Sequence, residues 1–321
     1  MATPKLIALD WGSTSARAYL MAEENEIIGQ RQAPLGILNV KDRDFDGALI
    51  ELCGPWLMVR MATPIIAAGM IGSRQGWAEA PYVEYPAGLS ELAARMTQID
   101  IAKKRKLWIV PGISTPAGHM PPDVMRGEET QIYGALSLAA RTSGSGLFIL
   151  PGTHSKWVRV EDGRIVWFKT FMTGELFSVL SKHSILGKLM EESDEPDPDA
   201  FERAVYHAHS DPFALSSQLF SARTLALFGE LAATSVADYL SGLLIGHEIY
   251  TAERALTAMA IGHDGVTLIG DIALTRGYQR ALTLLGWSST VAPAFPSATG
   301  LWRIADKAGL LDLRIESMSV A

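Results

Sequence analysis

Two segments of the same pattern begin the two halves of this sequence, and they constrain its fold more than any other feature. The first covers residues 6–20 and the second covers residues 147–160. Each consists of an apolar stretch, a short turn rich in small residues, and a second stretch in which apolar and polar residues alternate. Such a pattern is typical of a strand, a tight turn and a second strand. The duplication predicts an α/β chain built from two related halves.

Both turns have the composition of a phosphate-binding loop. Small residues let backbone N–H groups and hydroxyls approach phosphate oxygens, and a lysine adds a positive charge. Two facing turns of this kind predict a clamp on the triphosphate of ATP, which is the cofactor that we expect. The alternative is a glycine hairpin with a surface lysine, in which the histidine is only a polar turn residue. The residues concerned are Gly12, Ser13, Thr14 and Ser15 in the first turn and Gly152, Thr153, His154, Ser155 and Lys156 in the second.

The length and charge of the chain exclude some classes of protein. At 321 residues it favours two domains, which we place at residues 1–122 and 123–321. The formal charge of −7 argues against non-specific binding of nucleic acid, which requires a basic surface. The one cysteine, Cys53, lies in an apolar stretch, where a buried core thiol is expected.

The apolar runs are too short for a membrane helix or a secretion signal. The run that starts at Leu6 is interrupted by Asp10, and no run reaches the ~18 apolar residues that a membrane helix needs. We therefore expect no membrane partner and a reduced, cytoplasmic location.

Hydrophobic periodicity predicts three strands, followed by helices, in each half. The dipeptide Asp162-Gly163 predicts a two-residue hairpin turn between two of these strands. The acidic stretch 191–199 contains prolines and is predicted to be a surface loop rather than a metal site. Strands are predicted at 5–9, 16–21, 26–31, 64–69, 107–112, 147–150, 157–160, 165–169 and 266–270, and helices at 45–57, 128–141, 222–228, 235–244, 273–285 and 297–311.

Three carboxylates at the ends of predicted elements are candidates for catalysis. Asp10 ends the first strand, where it is either a turn former or an anchor for Mg²⁺, and the second phosphate-binding turn favours the metal. Glu128 and Glu129 begin a helix at the junction of the two halves. They either interact favourably with the helix dipole or include the base that takes a proton from an acceptor hydroxyl.

A glycine-rich loop after the strand at 64–69 is a candidate for substrate binding, because ligands of α/β proteins bind at the carboxyl ends of strands. Arg74 could hold a carboxylate there, and Trp77 could cover the apolar face of a sugar. Their neighbours Ser73 and Gln75 could bind hydroxyls. The alternative is an ordinary glycine-rich loop with a solvated arginine. Arg126 is the second candidate for binding a carboxylate.

Gly270 and Asp271 separate a predicted strand from a predicted helix. Asp271 could cap that helix. In a functional interpretation, the small Gly270 lets an adenine or a ribose approach the backbone. The pair is therefore a candidate for the adenosine site.

Taken together, these motifs resemble the superfamily of sugar kinases, heat-shock proteins and actin. Within it, the chain is similar to the 2-dehydro-3-deoxygalactonokinase family at residues 9–15, 69–77, 124–131, 150–157 and 173–177. The resemblance implies two ribonuclease-H-like domains with an ATP cleft between them. It also implies Mg·ATP-dependent phosphorylation of the terminal O6 hydroxyl of 2-dehydro-3-deoxy-D-galactonate, in galactonate catabolism.

Several alternatives stay open at this stage. Sugar kinases of the superfamily often carry an aspartate as the base, whereas this chain has Glu128 and Glu129 at the comparable place, so either glutamate could act. The expected partner is a small-molecule sugar acid, and a homodimer is left open. One rival function is a kinase for another acidic sugar, which would differ in the Arg74 loop. The other is a non-catalytic nucleotide-dependent switch, which would lack an acceptor site.

Overall fold

The fold was obtained as a computed structural model, which describes residues 2–59, 62–138, 144–211, 214–262 and 265–312. The end of the helix predicted at 128–141 lies outside the described residues.

The first 138 residues form nine strands and three α-helices among the described residues. The elements are β1 (Leu6–Trp11), β2 (Ala16–Met21), β3 (Ile27–Ala33), α1 (Phe45–Val59), β4 (Ile65–Ala68), β5 (Tyr82–Glu84), α2 (Leu89–Ala94), β6 (Thr97–Ile101), β7 (Arg105–Ile109), β8 (Gly112–Ser114), β9 (Val124–Met125) and α3 (Glu128–Leu138).

A six-stranded sheet forms the centre of this part, in the order β3-β2-β1-β4-β7-β6, beside a small sheet of β5, β8 and β9. Strand β1 pairs antiparallel with β2 and parallel with β4, and Leu9 lies opposite Ala67. Strand β7 continues the parallel arrangement, and β6 pairs antiparallel with it. Strands β1 and β4 are apolar and buried almost throughout, as central parallel strands are when both faces are covered.

The second half of the chain repeats the sequence of three strands followed by helices, and it carries most of the helical residues. Its longest helix, of 23 residues, contains a buried stretch of leucine, isoleucine and glycine. The elements are β10 (Gly146–Leu150), β11 (Ser155–Glu161), β12 (Arg164–Phe171), α4 (Thr173–His183), α5 (Pro198–Ser210), α6 (Leu215–Leu227), α7 (Val236–Ala258), β13 (Val266–Leu268), α8 (Ile272–Leu284), β14 (Ser289–Val291) and α9 (Pro296–Lys307).

The second sheet has the order β12-β11-β10-β13-β14. Strands β10, β13 and β14 are parallel. This order matches that of β3-β2-β1-β4-β7 in the first sheet, with the first strand of each half in the middle. Each half therefore has a ribonuclease-H-like sheet, and the predicted α/β fold class is confirmed.

The chain divides into two compact units. Unit 1 comprises Met1–Ser145, Arg159–Trp167 and Ala292–Ala321, and unit 2 comprises Gly146–Val158 and Phe168–Val291. Helices α3 and α9 therefore belong to unit 1, together with the first sheet. The predicted division between residues 122 and 123 follows the duplication of the sequence instead, and it stays a prediction.

Helices α3 and α9 pack closely within unit 1 because two glycines face the neighbouring backbone. A Cβ at Gly134 would collide with the carbonyl oxygen of Pro296, and a Cβ at Gly300 would collide with that of Thr130. Only glycine permits such an approach. This packing places the beginning of α9 beside β1.

Several local predictions are confirmed. Asp162 and Gly163 have φ of 47° and 74°, as a type I′ hairpin turn requires. Cys53 is buried, and burial raises the pKa of its thiol to about 12.

Helix α1 departs from helical geometry at Cys53, where φ is −139°, two residues before Pro55. Proline lacks the N–H group that a continuous helix needs, which accounts for the irregularity.

The periodicity missed five strands, namely β5, β6, β8, β9 and β14. Three of them form the small sheet, and β6 and β14 are edge strands of the two larger sheets. Thr97–Ile101 pairs with β7, and Ser289–Val291 extends the second sheet. Both segments are short, and more than half of their residues are at least partly exposed, so neither has the apolar run of a central strand. None of the helices among the described residues has the length and apolar character that crossing a membrane requires.

Candidate functional site

Two glycines bring three of the predicted site segments together in unit 1. Gly69, directly after β4, has φ of +96°, and a Cβ there would lie 2.8 Å from the carbonyl oxygen of Trp11. Gly127, directly before α3, has φ of +106°, and a Cβ there would lie 3.1 Å from Cα of Gly69. Glycine is needed at both positions. The carboxyl ends of β1 and β4 and the beginning of α3 therefore meet.

Asp10 lies at the end of β1 in this region. Its Oδ2 accepts a 2.8 Å hydrogen bond from Ser297 Oγ in the first turn of α9, and the Arg17 guanidinium lies 4.0 Å from the same oxygen. Burial raises the pKa of Asp10, although Ser297 and Arg17 favour the ionised form. The side chain is 19% exposed, and both contacts involve Oδ2, which leaves Oδ1 available to a ligand. Ser297 was missed by the sequence analysis.

The first predicted phosphate loop is held by hydrogen bonds to its carbonyl groups. The N–H group of Gly12 donates to the Ser15 carbonyl at 2.9 Å and closes the turn. The carbonyls of Gly12 and Ser13 accept bonds of 3.0 Å from backbone N–H groups at residues 37–38. The Thr14 carbonyl accepts from a side-chain amide. Because its carbonyls are bound to protein, the turn presents few acceptors that would repel a phosphate.

Glu128 and Glu129, at the beginning of α3, have different environments. Glu128 is partly buried, and its Oε2 accepts a 2.9 Å bond from the Arg126 N–H group. Glu129 is fully buried, and its two oxygens accept from the Gly127 N–H group at 2.9 and 2.7 Å. Burial, together with the nearby charge of Glu128, raises the pKa of Glu129 to about 8. A strongly perturbed carboxylate of this kind is typical of functional sites.

Arg126 carries buried N–H groups that lack an acceptor among the described residues. The residue is 9% exposed, its Nη2 donates to the Ala80 carbonyl at 2.8 Å, and its guanidinium lies 4.3 Å from the centre of the Tyr82 ring. Its Nε and Nη1, and the neighbouring Oγ of Ser73, are buried without a hydrogen-bond partner. A Cβ on Gly72 would lie 3.0 Å from Nη1, so the loop passes directly beside the guanidinium.

The other residues of the loop after β4 are either exposed or packed on neighbouring side chains. Arg74 has a side chain that is 87% exposed and forms an ion pair of 2.9 Å with Glu79. Gln75 is exposed. Trp77 is partly buried and stacks on Phe45 with 5.8 Å between ring centres. Arg74 therefore has the geometry of the solvated arginine that was the alternative, and Trp77 packs on the core of unit 1.

The second predicted phosphate loop packs on the beginning of α4 within unit 2. A Cβ at Gly174 would collide with the Gly152 carbonyl, and the Glu175 N–H group donates to the Thr153 carbonyl at 2.9 Å. Thr153 and His154 are exposed, and His154 Nε2 lies 2.5 Å from Glu175 Oε2. The loop is thus tied to α4 by both backbone and side-chain contacts.

The two residues that end this loop are buried. Ser155 is fully buried and Lys156 is 5% exposed, so the surface-lysine alternative is wrong. The hydroxyl hydrogen of Ser155 is directed at Glu248 of α7, at 2.7 Å. Ser155 therefore binds protein rather than presenting its proton to a ligand.

Gly270 and Asp271 lie beside the second phosphate loop. A Cβ on Gly270 would lie 3.4 Å from the Pro151 carbonyl oxygen. The Asp271 carboxylate accepts a 2.8 Å bond from the Ala273 N–H group, which confirms the predicted cap of α8. A cavity of about 580 Å³ begins at Ala273 and is lined in part by Phe201 and Arg276. Its lining is partly apolar and partly charged.

Glu248 was also missed by the sequence analysis. It lies in the middle of α7, it is 3% exposed, and it accepts hydrogen bonds from four side chains. Burial raises the pKa of its carboxyl, while the four hydrogen bonds oppose the rise. A glutamate inside the apolar run of residues 239–249 was the signal that could have drawn attention to it. The donors are Ser155, Trp157, Thr173 and Tyr278.

The carboxylates of the site fit Mg²⁺ better than a metal bound only by protein. Among the described residues there is no group of three or more histidine, cysteine, aspartate or glutamate side chains that could hold a metal ion. Mg²⁺ usually takes one or two carboxylates and completes its shell with waters and phosphate oxygens. Oδ1 of Asp10, beside the first phosphate loop, provides such a ligand.

Known proteins resemble this chain over most of its length. A sequence profile of the 2-keto-3-deoxy-galactonokinase family matches residues 10–304. A protein of Rhizobium meliloti (strain 1021) assigned as a 2-dehydro-3-deoxygalactonokinase is 39% identical over 285 residues, which are 87% of this chain and 89% of that protein. The 2-dehydro-3-deoxygalactonokinase of Escherichia coli (strain K12) is 35% identical over 290 residues, 90% of this chain and 92% of that protein.

Solved structures agree with this relationship. The crystal structure of a Sinorhizobium meliloti protein assigned as a 2-dehydro-3-deoxygalactonokinase has a TM-score of 0.82 and 37% identity, covering 94% of this chain and 98% of that one. The activator of 2-hydroxyisocaproyl-CoA dehydratase from Clostridium difficile has a TM-score of 0.52 and 15% identity, covering 98% and 99%, and it shares the fold alone. The chain belongs to the 2-keto-3-deoxy-galactonokinase family of carbohydrate kinases.

Proposed function

We propose that this chain transfers the γ-phosphoryl group of Mg·ATP to the terminal O6 hydroxyl of 2-dehydro-3-deoxy-D-galactonate. Family membership supports the reaction, since relatives with 35–39% identity bear the name of this activity. The structural observation that carries the proposal is the buried guanidinium of Arg126, whose Nε and Nη1 have no hydrogen-bond partner, next to two glutamates at the beginning of α3. An acidic sugar needs both a cation for its carboxylate and a base for its hydroxyl.

Asp10 is proposed as the protein ligand of Mg²⁺. Its available Oδ1 would hold the ion or a water bound to the ion, while Ser297 fixes the orientation of the carboxylate. When bound, Mg²⁺ neutralises charge that grows on the phosphate oxygens during transfer. The backbone N–H groups and hydroxyls around Gly12 and Gly152 are proposed to hold the phosphates.

Glu129 is the stronger candidate for the base. A base works best when its pKa lies near the pH of the reaction, and the pKa of Glu129 is raised to about 8. It would accept the proton of the O6 hydroxyl as the oxygen bonds to phosphorus. Glu128, whose Oε2 accepts from the Arg126 N–H group, is proposed to orient the residues before the helix.

The substrate carboxylate is proposed to bind Arg126 rather than Arg74. The unpaired Nε and Nη1 of Arg126 each have an N–H group left to donate a charge-assisted hydrogen bond to a carboxylate oxygen. Ser73 Oγ, which is also unpaired, could donate a further hydrogen bond. Arg74 already pairs with Glu79 in solvent, and an exposed pair of this kind contributes little.

The nucleoside is proposed to bind in unit 2. Gly270 provides the close approach to the backbone, and the cavity that begins at Ala273 provides apolar surface beside Arg276. We also propose a cytoplasmic location, where ATP is available and the free thiol of Cys53 stays reduced. A homodimer stays a prediction.

Arg126→Ala is expected to raise KM for the sugar acid by about tenfold or more, because a lost charge-assisted hydrogen bond corresponds to ~1.5–3 kcal/mol. KM for ATP should change little. Arg126→Lys should recover only part of the loss, since lysine keeps the charge but not the planar group with several N–H donors in fixed directions. Steady-state kinetics with each substrate varied in turn measure both constants.

Arg74→Ala is the matched control for this prediction. It removes an arginine from the same region, and we expect KM for the acid to change less than about threefold, as for a solvated side chain. A large rise in KM for the acid with Arg74→Ala and none with Arg126→Ala would contradict the proposed placement.

A coupled assay of ADP release over a panel of sugars tests the proposed function. The panel contains 2-dehydro-3-deoxy-D-galactonate, its stereoisomer 2-dehydro-3-deoxy-D-gluconate, and neutral D-galactose. We expect rapid ADP release only with the first. Release that is faster with another acid would support the rival sugar kinase, and no stimulation by any sugar would support the nucleotide switch.

A further inference from the structure

Glu248 connects the two ends of the proposed nucleotide site within unit 2. Its Oε1 accepts from Ser155 Oγ at 2.7 Å and from Trp157 Nε1 at 2.8 Å, directly after the second phosphate loop. Its Oε2 accepts from Tyr278 Oη at 2.6 Å and from Thr173 Oγ1. Thr173 begins α4, on which the phosphate loop packs, and Tyr278 lies on α8, which begins at the proposed nucleoside site.

The indole N–H group of Trp157 can only donate, so Oε1 of Glu248 accepts from it. The other three partners are hydroxyls, and with an ionised carboxylate each oxygen of Glu248 accepts two hydrogen bonds. An amide that kept its oxygen toward Trp157 would turn its NH₂ group toward Thr173 and Tyr278, whose hydroxyls would then have to accept instead of donate. A buried charge with neutral partners is costly to keep, and it is tolerated here because all of its acceptor capacity is used.

The arrangement also determines the direction of two hydroxyl groups. The hydrogens of Ser155 and Thr173 point at Glu248, so the oxygen of the half-buried Thr173 has only lone pairs left for other contacts. Loss of the carboxylate would free both hydroxyls to rotate and would remove the link from the end of the phosphate loop to α8, leaving the loop held only by its direct contacts with α4. The effect should therefore be felt first by the phosphates of a nucleotide.

We propose that Glu248 is a positioning residue that holds the second phosphate loop, α4 and α8 in the arrangement that binds Mg·ATP. The proposal rests on the proposed use of ATP. Under this proposal, loss of the Glu248 carboxylate weakens the binding of the nucleotide but leaves the binding of the sugar acid unchanged.

Three variants test this role. Glu248→Gln keeps the shape of the side chain, whereas Tyr278→Phe and Thr173→Val each remove one donor. The matched control is Tyr239→Phe, which also removes a buried tyrosine hydroxyl from unit 2, but one that contacts His207 and Ser221 instead. For each folded variant, calorimetry measures Kd for Mg·AMPPNP, thermal melting measures stability, and kinetics measure both KM values.

We expect Glu248→Gln to raise Kd for Mg·AMPPNP and KM for ATP by about tenfold or more, as for the loss of a hydrogen bond to a charged group. KM for the acid should stay within about twofold of the unchanged protein. Tyr278→Phe and Thr173→Val should also raise Kd for Mg·AMPPNP and KM for ATP without changing KM for the acid, but by smaller factors. Tyr239→Phe should leave all three constants unchanged even if it loses a similar amount of stability.

The proposal would be overturned if Kd for Mg·AMPPNP were the same in Tyr278→Phe, Thr173→Val and Tyr239→Phe. If Glu248→Gln does not fold, this comparison alone decides the question. A parallel rise in both KM values would also overturn it, since that result indicates a general loss of structure. If the unchanged protein binds AMPPNP but releases no ADP with the acid, the proposed function fails alone. The Kd values then still decide the role of Glu248.

Discussion

Asp10→Asn is expected to lower turnover by about 10³-fold or more in saturating Mg·ATP, while a nucleotide still binds weakly. The carboxylate is proposed to fix Mg²⁺ against phosphates whose charge grows during transfer, and metal stabilisation of this kind amounts to several kcal/mol. Each ~1.4 kcal/mol changes the rate tenfold. Asparagine keeps the shape of the side chain and can still accept the hydrogen bond of Ser297. Initial rates of ADP release measure the loss.

Ser297→Ala is the control for this variant. It removes the hydrogen bond to Oδ2 but leaves the carboxylate. We expect it to lower turnover much less than Asp10→Asn. The melting temperature of Asp10→Asn should not fall, because burial raises the pKa of Asp10 and removal of the buried charge relieves that cost. Near-normal turnover of Asp10→Asn would remove this residue from the proposed role.

Glu129→Gln is expected to lower kcat by about 10²-fold or more, the usual scale of general-base catalysis. In the unchanged protein, kcat should rise with pH as Glu129 loses its proton near its pKa of about 8. The variant should lose this dependence. Glu128→Gln is the matched control at the neighbouring position, and it should keep both kcat and the pH dependence. The reverse result would assign the base to Glu128.

We also expect Glu129→Gln to change the pH dependence of stability. Glu129 in the folded chain holds its proton up to about pH 8, whereas an unfolded glutamate loses it near 4.5. Between these values the folded chain binds more protons, so Glu129 lowers the free energy of unfolding as the pH rises. Glu129→Gln should therefore melt higher than the unchanged protein at pH 8, and the difference should shrink toward pH 5. Thermal melting across this range checks the sign.

The backbone of the site could be predicted from the sequence because local composition determines it. The small residues around Gly12 and Gly152, the hairpin at Asp162 and the cap at Asp271 all depend on residues next to one another in the chain. The duplicated strands could be found for the same reason, since alternation and apolar runs are local patterns.

The tertiary contacts of the site could not be predicted in this way. Asp10 and Ser297 are 287 residues apart, and nothing in either segment indicates their hydrogen bond. The sequence alone favours Arg74 for the substrate carboxylate and makes Arg126 the second candidate. Only the folded chain shows that the first pairs with Glu79 in solvent, while the second is buried with unpaired N–H groups.

The central claim is most directly tested by identifying the product. The purified chain is incubated with Mg·ATP and 2-dehydro-3-deoxy-D-galactonate, and the mixture is followed by ³¹P NMR with proton coupling. We predict stoichiometric conversion of ATP to ADP and a phosphomonoester whose phosphorus couples to the two protons of the terminal carbon. Conversion no faster than without the sugar acid, or a phosphoryl group on any other oxygen, would contradict the proposed function.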